Sequence, residues 1–230
     1  MKKRILLKIS GELLGVELTC KNILAAVIAQ IVELSATHQF GIVVGGGNFF
    51  RGSKQGKDLG MSRSAADAVG MLATVMNGLI LQDLLTQAGL SVVVASSIVM
   101  PAVVMPLSDG ALKEALKAEK HIIFVGGTGC PFVTTDTNAV IRALQIDACQ
   151  LWKATKVNGV FDKDPMIDSS AQHFATITYQ QMLDQHLLVM DRTAIILAQE
   201  NKLITKVFNV FTDNALRRVA CEEHFGSTIS

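Results

Sequence analysis

Short runs of consecutive apolar residues, closed by Gly, Asn or Asp, punctuate the chain: RILLKIS (4–10), FGIVVG (40–45), SVVVA (91–95), HIIFVGG (121–127), ACQLWKA (148–154) and ITKVFNVF (204–211). Hydrophobicity that is continuous rather than alternating belongs to strands covered on both faces. The stretches between them have helical spacing. In 22–37 the apolar positions Ile23, Ala26, Val27, Ile31 and Leu34 share one face of a helix, 62–88 is the longest such segment, and shorter ones follow at 109–119, 136–147, 178–201 and 213–222. Strand alternating with helix predicts crossover units on a mainly parallel sheet. No repeat, linker or low-complexity tract interrupts the pattern, which predicts one domain over residues 1–230.

In open α/β sheets ligands bind beyond the carboxyl ends of the strands. The segments to inspect are therefore Ser10 and Gly11, then 45–52, 126–136 and 155–164. GGGNFFRG (45–52) sets three consecutive glycines at the mouth of a strand. Glycine is the costliest residue to order, so the run serves a backbone that something must approach closely. Successive N–H groups there can form an anion nest to which Arg51 adds a forked charge; a tight turn with an exposed Arg is the plainer reading. A Walker A loop is excluded because Ser53 and Lys54 stand in the reverse of the required order, and no dinucleotide fingerprint is present. Lys8 lies inside the first apolar run, where an ammonium is costly to bury alone. Together with Arg51 and the glycine nest it points to polyphosphate, although a snorkelling edge-strand lysine fits Lys8 taken alone.

GGTGCPFVTTDTNAVIRAL (126–144) is a second close-approach loop, with the hydroxyls of Thr134 and Thr135 and with Asp136 at a helix start. Asp136 reads as an N-cap, or as the carboxylate that orients Lys8 or another cation over phosphates. Asp67 shares a helix face with Met71, Thr74 and Gly78; an ordinary pair with Arg63 competes with ligand binding as its explanation. In KATKVNGVFDKDP (153–165), Asp162 and Asp164 form a D-x-D pair that reads as solvated more readily than as metal-binding.

Half the residues are hydrophobic, 18% are charged and the net charge is +1, which excludes a disordered chain and argues against a nucleic-acid binder. Cys20, Cys130, Cys149 and Cys221 have neither disulfide-framework nor zinc spacing, as expected of a reduced compartment. Lys8 breaks the N-terminal apolar stretch too early for a signal-peptide core, and 95–106 is too short to span a membrane. A soluble protein is expected. The five histidines form no hydrolase or zinc motif.

Taken in order, KISGE (8–12), GGGNFFRG, GMLATVMNGL (70–79), GTGCPFVTTD (127–136), KATKVNGVFDKDP and VMDRTA (189–194) resemble the bacterial uridylate (UMP) kinases of the amino acid kinase family, a likeness running from about residue 4 to 229. The resemblance implies an α/β fold, a three-layer α/β/α sandwich with a mainly parallel central sheet. It further implies a cytoplasmic homohexamer that transfers the γ-phosphoryl group of ATP to UMP, with Mg²⁺ accompanying ATP, in pyrimidine nucleotide biosynthesis. Neither nucleic acid nor membrane is an expected partner. By this likeness Lys8, Ile9, Ser10, Gly11, Gly47, Arg51, Thr155, Phe161 and Asp164 hold ATP. Gly46, Asp67, Thr128, Gly129, Cys130, Pro131, Phe132, Val133, Thr134 and Thr135 hold UMP, with Asp67 at the ribose. Lys8, Arg51 and Asp136 form the catalytic set, and no residue is assigned as a metal ligand. Cys130 stands where members usually carry Asn, and Asn158 where they usually carry Asp. Gln82 and Thr86 replace basic residues tied to GTP activation, so catalysis is expected to be retained and GTP activation to be weak or lost. Two alternatives are a kinase of the same fold for another small acceptor, such as an acylglutamate or carbamate, and a non-catalytic nucleotide-binding or storage protein.

Overall fold

The computed structural model describes residues 2–15, 18–187 and 189–230. The chain runs through β1 (Lys3–Ile9), a 3₁₀ turn (Gly11–Leu14), α1 (Leu18–Leu34), β2 (His38–Val44), a π-helical turn (Gly52–Gly56), α2 (Arg63–Gln87), β3 (Val92–Ser96), β4 (Met105–Pro106), α3 (Asp109–Lys117) and β5 (His121–Val125). It continues through α4 (Thr135–Gln145), β6 (Gln150–Thr155), β7 (Val160–Phe161), β8 (His173–Phe174), β9 (Thr176–Ile177), α5 (Tyr179–Asp184), α6 (Arg192–Glu200), β10 (Ile204–Asn209), α7 (Ala215–Cys221) and β11 (Ser227–Ile229). The six apolar runs are the six longest strands. Strands β4, β7, β8, β9 and β11, two or three residues each, are too short to carry a periodic signal.

One sheet has the order β4-β3-β5-β2-β1-β6-β10-β11-β9 and is parallel throughout except for β11 against β10. The alternating pleat sorts its side chains into two cores. Ile5, Leu7 and Ile9 of β1 face one core with Phe40, Ile42, Trp152 and Phe208, covered by α1, α2 and α7. Leu6 faces the other core with Val43, Phe124, Leu151 and Val207, covered by α3, α4, α5 and α6. This is the expected three-layer α/β/α sandwich. Because β2 lies on one side of β1 and β6 on the other, the chain changes its direction of travel across the sheet at β1. A ligand crevice belongs at the carboxyl end of such a switch point.

Residues 178–201, expected as one helix, form two. Helix α5 ends at Asp184 and is followed by His186 at φ 55°, a left-handed residue that terminates helices. Asp191 then caps α6 by accepting from the Ala194 N–H at 3.0 Å. The apolar period runs across the break because Tyr179 and Met182 of α5 and Ala194, Ile195 and Ala198 of α6 share one core. Leu188, inside the expected helix, lies outside the described residues. Helix α2 is long and apolar enough to cross a membrane, yet its Val75, Leu81 and Leu85 are buried in the core with Ile123 and Val125 of β5, as one layer of the sandwich.

The ends of β1 and β2 meet through glycine. A Cβ at Gly11 would stand 2.4 Å from the Gly45 carbonyl oxygen, 2.7 Å from Asn48 Oδ1 and 2.8 Å from Asn77 Nδ2. Asn77, fully buried, donates to the Gly45 carbonyl at 2.6 Å and to Asn48 at 2.7 Å, so the obstructing atoms are held in place. Gly11→Ala is expected to destabilise the protein by about 1–3 kcal/mol, read as a lower urea midpoint with an unchanged m-value.

Candidate active site

The site starts from strand register. In the pleat Lys8 shares a face with Leu6, and Lys153 of β6 shares one with Leu151; both faces look toward α4. Parallel pairing sets Lys8 directly beside Lys153. Two ammonium groups thus lie side by side at the carboxyl ends of adjacent strands, with only 16% and 8% of their side chains exposed. Between them stands Asp136 in the first turn of α4. Its Oδ2 accepts from Lys153 Nζ at 2.5 Å, and Oδ1 faces Lys8 Nζ at 3.1 Å without an aligned hydrogen bond.

Asp136 is the one carboxylate at ion-pair distance from both ammonium groups, and the negative charge of Asp191 acts on Lys153 from further off. Burial pushes the Asp136 carboxyl up, but the charges of Lys8 and Lys153 outweigh it and hold the group below its ordinary 3.8. Burial, with Lys8 alongside, brings the Lys153 ammonium down from 10.5 to about 8 despite its bond to Asp136. An anion entering here meets both ammonium groups.

Asp136 does not cap its helix, contrary to the plainer expectation. Thr134 does, its Oγ1 accepting from the Asp136 and Thr137 N–H groups at 3.1 and 3.3 Å. That leaves the Asp136 carboxylate free for the lysines. Asp191 fixes this end of α4 from α6: it accepts from the hydroxyl of Thr134 and, at 2.8 Å, from that of Thr137.

The three glycines after β2 serve close approach rather than unusual dihedrals. Gly45 packs on Gly11, and a Cβ at Gly46 would meet the Gly70 carbonyl at 2.7 Å and Ala73 Cβ at 2.8 Å. At Gly47 the nearest atom would be Arg51 Cγ at 3.8 Å, so its peptide is open to a ligand. The second loop differs: Gly126, Gly127 and Gly129 have φ of 74°, 56° and 81°, where other residues are strained. Buried Arg142, brought down to about 10 by desolvation, holds this loop by donating to the Gly127 carbonyl at 3.2 Å and to Ser97 Oγ at 2.7 Å. Thr74 of α2 accepts from the Gly126 N–H at 2.8 Å.

Two cavities adjoin the cluster. Lys8, Ile9, Ser10 and Thr155, all expected to hold ATP, line one of about 340 Å³ together with Glu12, Lys153, Lys156 and Phe211. Gly46, Asp67, Thr128, Cys130, Val133, Thr134 and Thr135, all expected to hold UMP, line the other of about 280 Å³ with Gly47, Arg63, Met71 and Asn138. Asp136 follows Thr135, a wall of the second cavity, directly in the chain, and its lysine partners wall the first, so the charge cluster stands between the walls of the two. Asp67 accepts from Arg63 Nε through both oxygens at 2.9 Å, the ordinary helical pair, and also from the Phe132 N–H at 2.8 Å, while still lining the cavity.

Other expected residues fall elsewhere. Gly11 is buried under Gly45, and Gly129, Pro131 and Phe132 belong to the loop without walling the second cavity. Arg51 stands at the rim, its Nε donating to the Gly47 carbonyl at 3.3 Å and its Nη2 paired with Glu12. Phe161 and Asp164 line a third cavity with Gly159, Pro165 and His186, apart from the walls of the Lys8 cavity. Asp162 and Asp164 accept from the N–H groups of Gln172 at 2.7 Å and Met166 at 2.9 Å, and no group of three or more His, Cys, Asp or Glu suited to a metal occurs among the described residues. Sequence reading passed over Lys153, Asp191, Arg142 and Glu12. For Lys153 a signal existed: a lysine in an apolar strand, the same signal that marks Lys8.

Residues 3–209 match the model of the amino acid kinase family. The chain is 44% identical over 222 residues to a uridylate kinase of Magnetococcus marinus, covering 94% of this chain and 91% of that relative. Among solved structures, a UMP kinase from Ureaplasma parvum superposes with a TM-score of 0.94 at 37% identity, covering 100% of this chain and 99% of that one. A UMP kinase from Bacillus anthracis gives 0.92 at 34% identity, covering 99% and 96%. The chain belongs to the amino acid kinase family.

Replacing Asp136 with Asn leaves two buried ammonium groups facing each other. Asp136→Asn is expected to cost of the order of 3 kcal/mol in denaturant unfolding near neutral pH. Because the folded carboxyl ionises below 3.8, its contribution is complete above that value and fades as pH falls through the folded pKa. The difference between wild type and variant should therefore narrow in acid, and a difference independent of pH would contradict the assignment.

Proposed function

We propose that this protein is a UMP kinase that transfers the γ-phosphoryl group of ATP to UMP, giving ADP and UDP in pyrimidine nucleotide biosynthesis. The similarity to uridylate and UMP kinases supports the chemistry. The observation that carries it is the buried Lys8–Asp136–Lys153 cluster, whose lysines wall one cavity and whose carboxylate directly follows Thr135 of the other. Phosphoryl transfer needs little covalent help; it needs two anions aligned and their charge offset.

In this reading the ATP polyphosphate lies along Lys8 and Ser10 in the Lys8 cavity, with Gly47 approaching it from the wall of the second cavity, and UMP fills that second cavity, its ribose at Asp67 and its base along 128–135. A phosphate oxygen of UMP attacks the γ-phosphorus in line, the bond to the β–γ bridging oxygen breaks, and ADP departs with that electron pair. Lys8 and Lys153 donate to the transferred group as its charge spreads, and Asp136 holds both in position. The nucleophile is already largely ionised near neutral pH. No general base is required, consistent with the absence of histidine from the described walls of both cavities. Mg²⁺ enters as part of the ATP complex, held chiefly by phosphate oxygens, which suits walls without clustered carboxylates.

We further propose a cytoplasmic homohexamer. Four free cysteines suit a reducing compartment. Val69, Leu72, Met76 and Ile80 leave an apolar stripe exposed on α2, which suits association between copies.

ADP release should be fast with UMP and slow with CMP, dTMP, an acylglutamate or carbamate; preference for a non-nucleotide acid would overturn the acceptor assignment. Lys8→Ala should lower kcat by about 10²–10³, and undiminished turnover would remove Lys8 from the mechanism. The pH profile of kcat/KM for ATP reports the free enzyme. It should fall as pH rises through about 8, where Lys153 loses its proton, and Lys153→Arg should move that limb to higher pH while retaining part of the activity.

A further inference from the structure

One member of the KISGE motif has no part in the reaction above. Glu12 is the second residue of the 3₁₀ turn after β1, where its N–H donates to Ser10 Oγ at 3.3 Å, and its side chain lines the Lys8 cavity, 28% exposed. Its two oxygens are divided between two cations. Oε1 is paired with Arg51 Nη2, and Oε2 with Lys156 Nζ. These cations come from separate parts of the chain, Arg51 from the loop after β2 and Lys156 from the end of β6, and each has more than half of its side chain exposed. Glu12 is the only carboxylate paired with either of them among the described residues.

A carboxylate that offers one oxygen to a guanidinium and the other to an ammonium imitates the edge of a phosphate in charge and acceptor geometry. Two sets of cations thus stand at the cavity: Lys8, Lys153 and Lys156 wall it, and Arg51 adjoins it through Glu12. The inner pair, Lys8 and Lys153, shares a carboxylate anchored on a helix; the outer pair, Arg51 and Lys156, shares one on a short turn at the rim. A partly exposed carboxylate is released to water at little cost, whereas Asp136 is not.

We propose that Glu12 is an internal surrogate for the donor polyphosphate. In the free protein it holds Arg51 and Lys156 at the mouth of the Lys8 cavity, and donor binding is an anion exchange in which phosphate oxygens replace the carboxylate on both cations. This rests on the assignment of that cavity to ATP. Glu12 is then a positioning residue that keeps the rim assembled and, by competing for its cations, weakens donor binding.

Calorimetric titration of the full chain with ATP and with inorganic tripolyphosphate, in the absence of acceptor, tests this. Glu12→Gln keeps the size of the side chain and removes its charge. It is expected to bind both ligands about fivefold more tightly than wild type, the scale of an exposed ion pair. The gain should shrink as salt rises and shrink again in a Lys156→Met background, behaviour that a merely structural role would not produce. Binding by Glu12→Gln that is equal to or weaker than wild type overturns the exchange and leaves the donor assignment standing. Wild type that binds tripolyphosphate but not ATP overturns the donor assignment and leaves the exchange standing, and wild type that binds neither overturns both.

Discussion

Two lysine side chains on neighbouring strands, facing the same layer of helices, are tolerable only with a carboxylate between them. Asp136 is that carboxylate, and much of the local architecture follows from the need to hold it there. Register brings Lys8 beside Lys153. Thr134 takes over the capping of α4, and Asp191 ties the start of α4 to α6. At ion-pair distance the two ammonium groups share a single carboxylate, with Asp191 acting on Lys153 from further off, in a buried site where an unbalanced ammonium is costly. An incoming phosphoryl group supplies further negative charge.

The glycine-rich loops do for distance what the lysines do for charge. Gly11 and Gly45 let two strand ends touch, Gly46 lets the loop lie against α2, and the Gly47 carbonyl accepts from Arg51 Nε. On the other wall the left-handed glycines of the loop after β5 are held by Arg142 and Thr74. Both loops are thereby fixed from behind, by α2 and α4, rather than by contacts that a ligand would need to displace. Pre-positioned backbone of this kind lowers the entropic cost of aligning two substrates.

The sheet and its flanking helices were legible because strands buried on both faces leave continuous apolar runs, and all six were read as strands. The expected 178–201 helix was misjudged because α5 and α6 face one core, so the period alone does not reveal the break at His186. Lys8 was singled out as a cation inside an apolar strand, Asp67 by its helix face, and Gly46, Gly47, Asp136 and the 128–135 loop by their places after strand ends; Lys8 lies against Asp136, and Gly46 and Asp67 line one cavity. Lys153 was passed over although it lies in the apolar run 148–154, because its partnership with Lys8 spans 145 positions and depends on register. Glu12 and Asp191 likewise act through contacts far apart in sequence, such as Glu12 with Arg51 and Asp191 with Thr134 and Thr137, that no local pattern records. Phe161 and Asp164 were assigned by resemblance alone, and they line a different cavity from Lys8.

The central claim is that phosphoryl transfer takes place at the Lys8–Asp136–Lys153 cluster, between the two cavities. It is tested most directly by a crystal structure of the protein with UMP and a non-hydrolysable ATP analogue bound together. The account predicts the γ-phosphate within hydrogen-bond distance of both Lys8 Nζ and Lys153 Nζ, with a UMP phosphate oxygen in line behind it. A γ-phosphate bound away from both lysines, or a UMP phosphate directed away from it, would contradict the account.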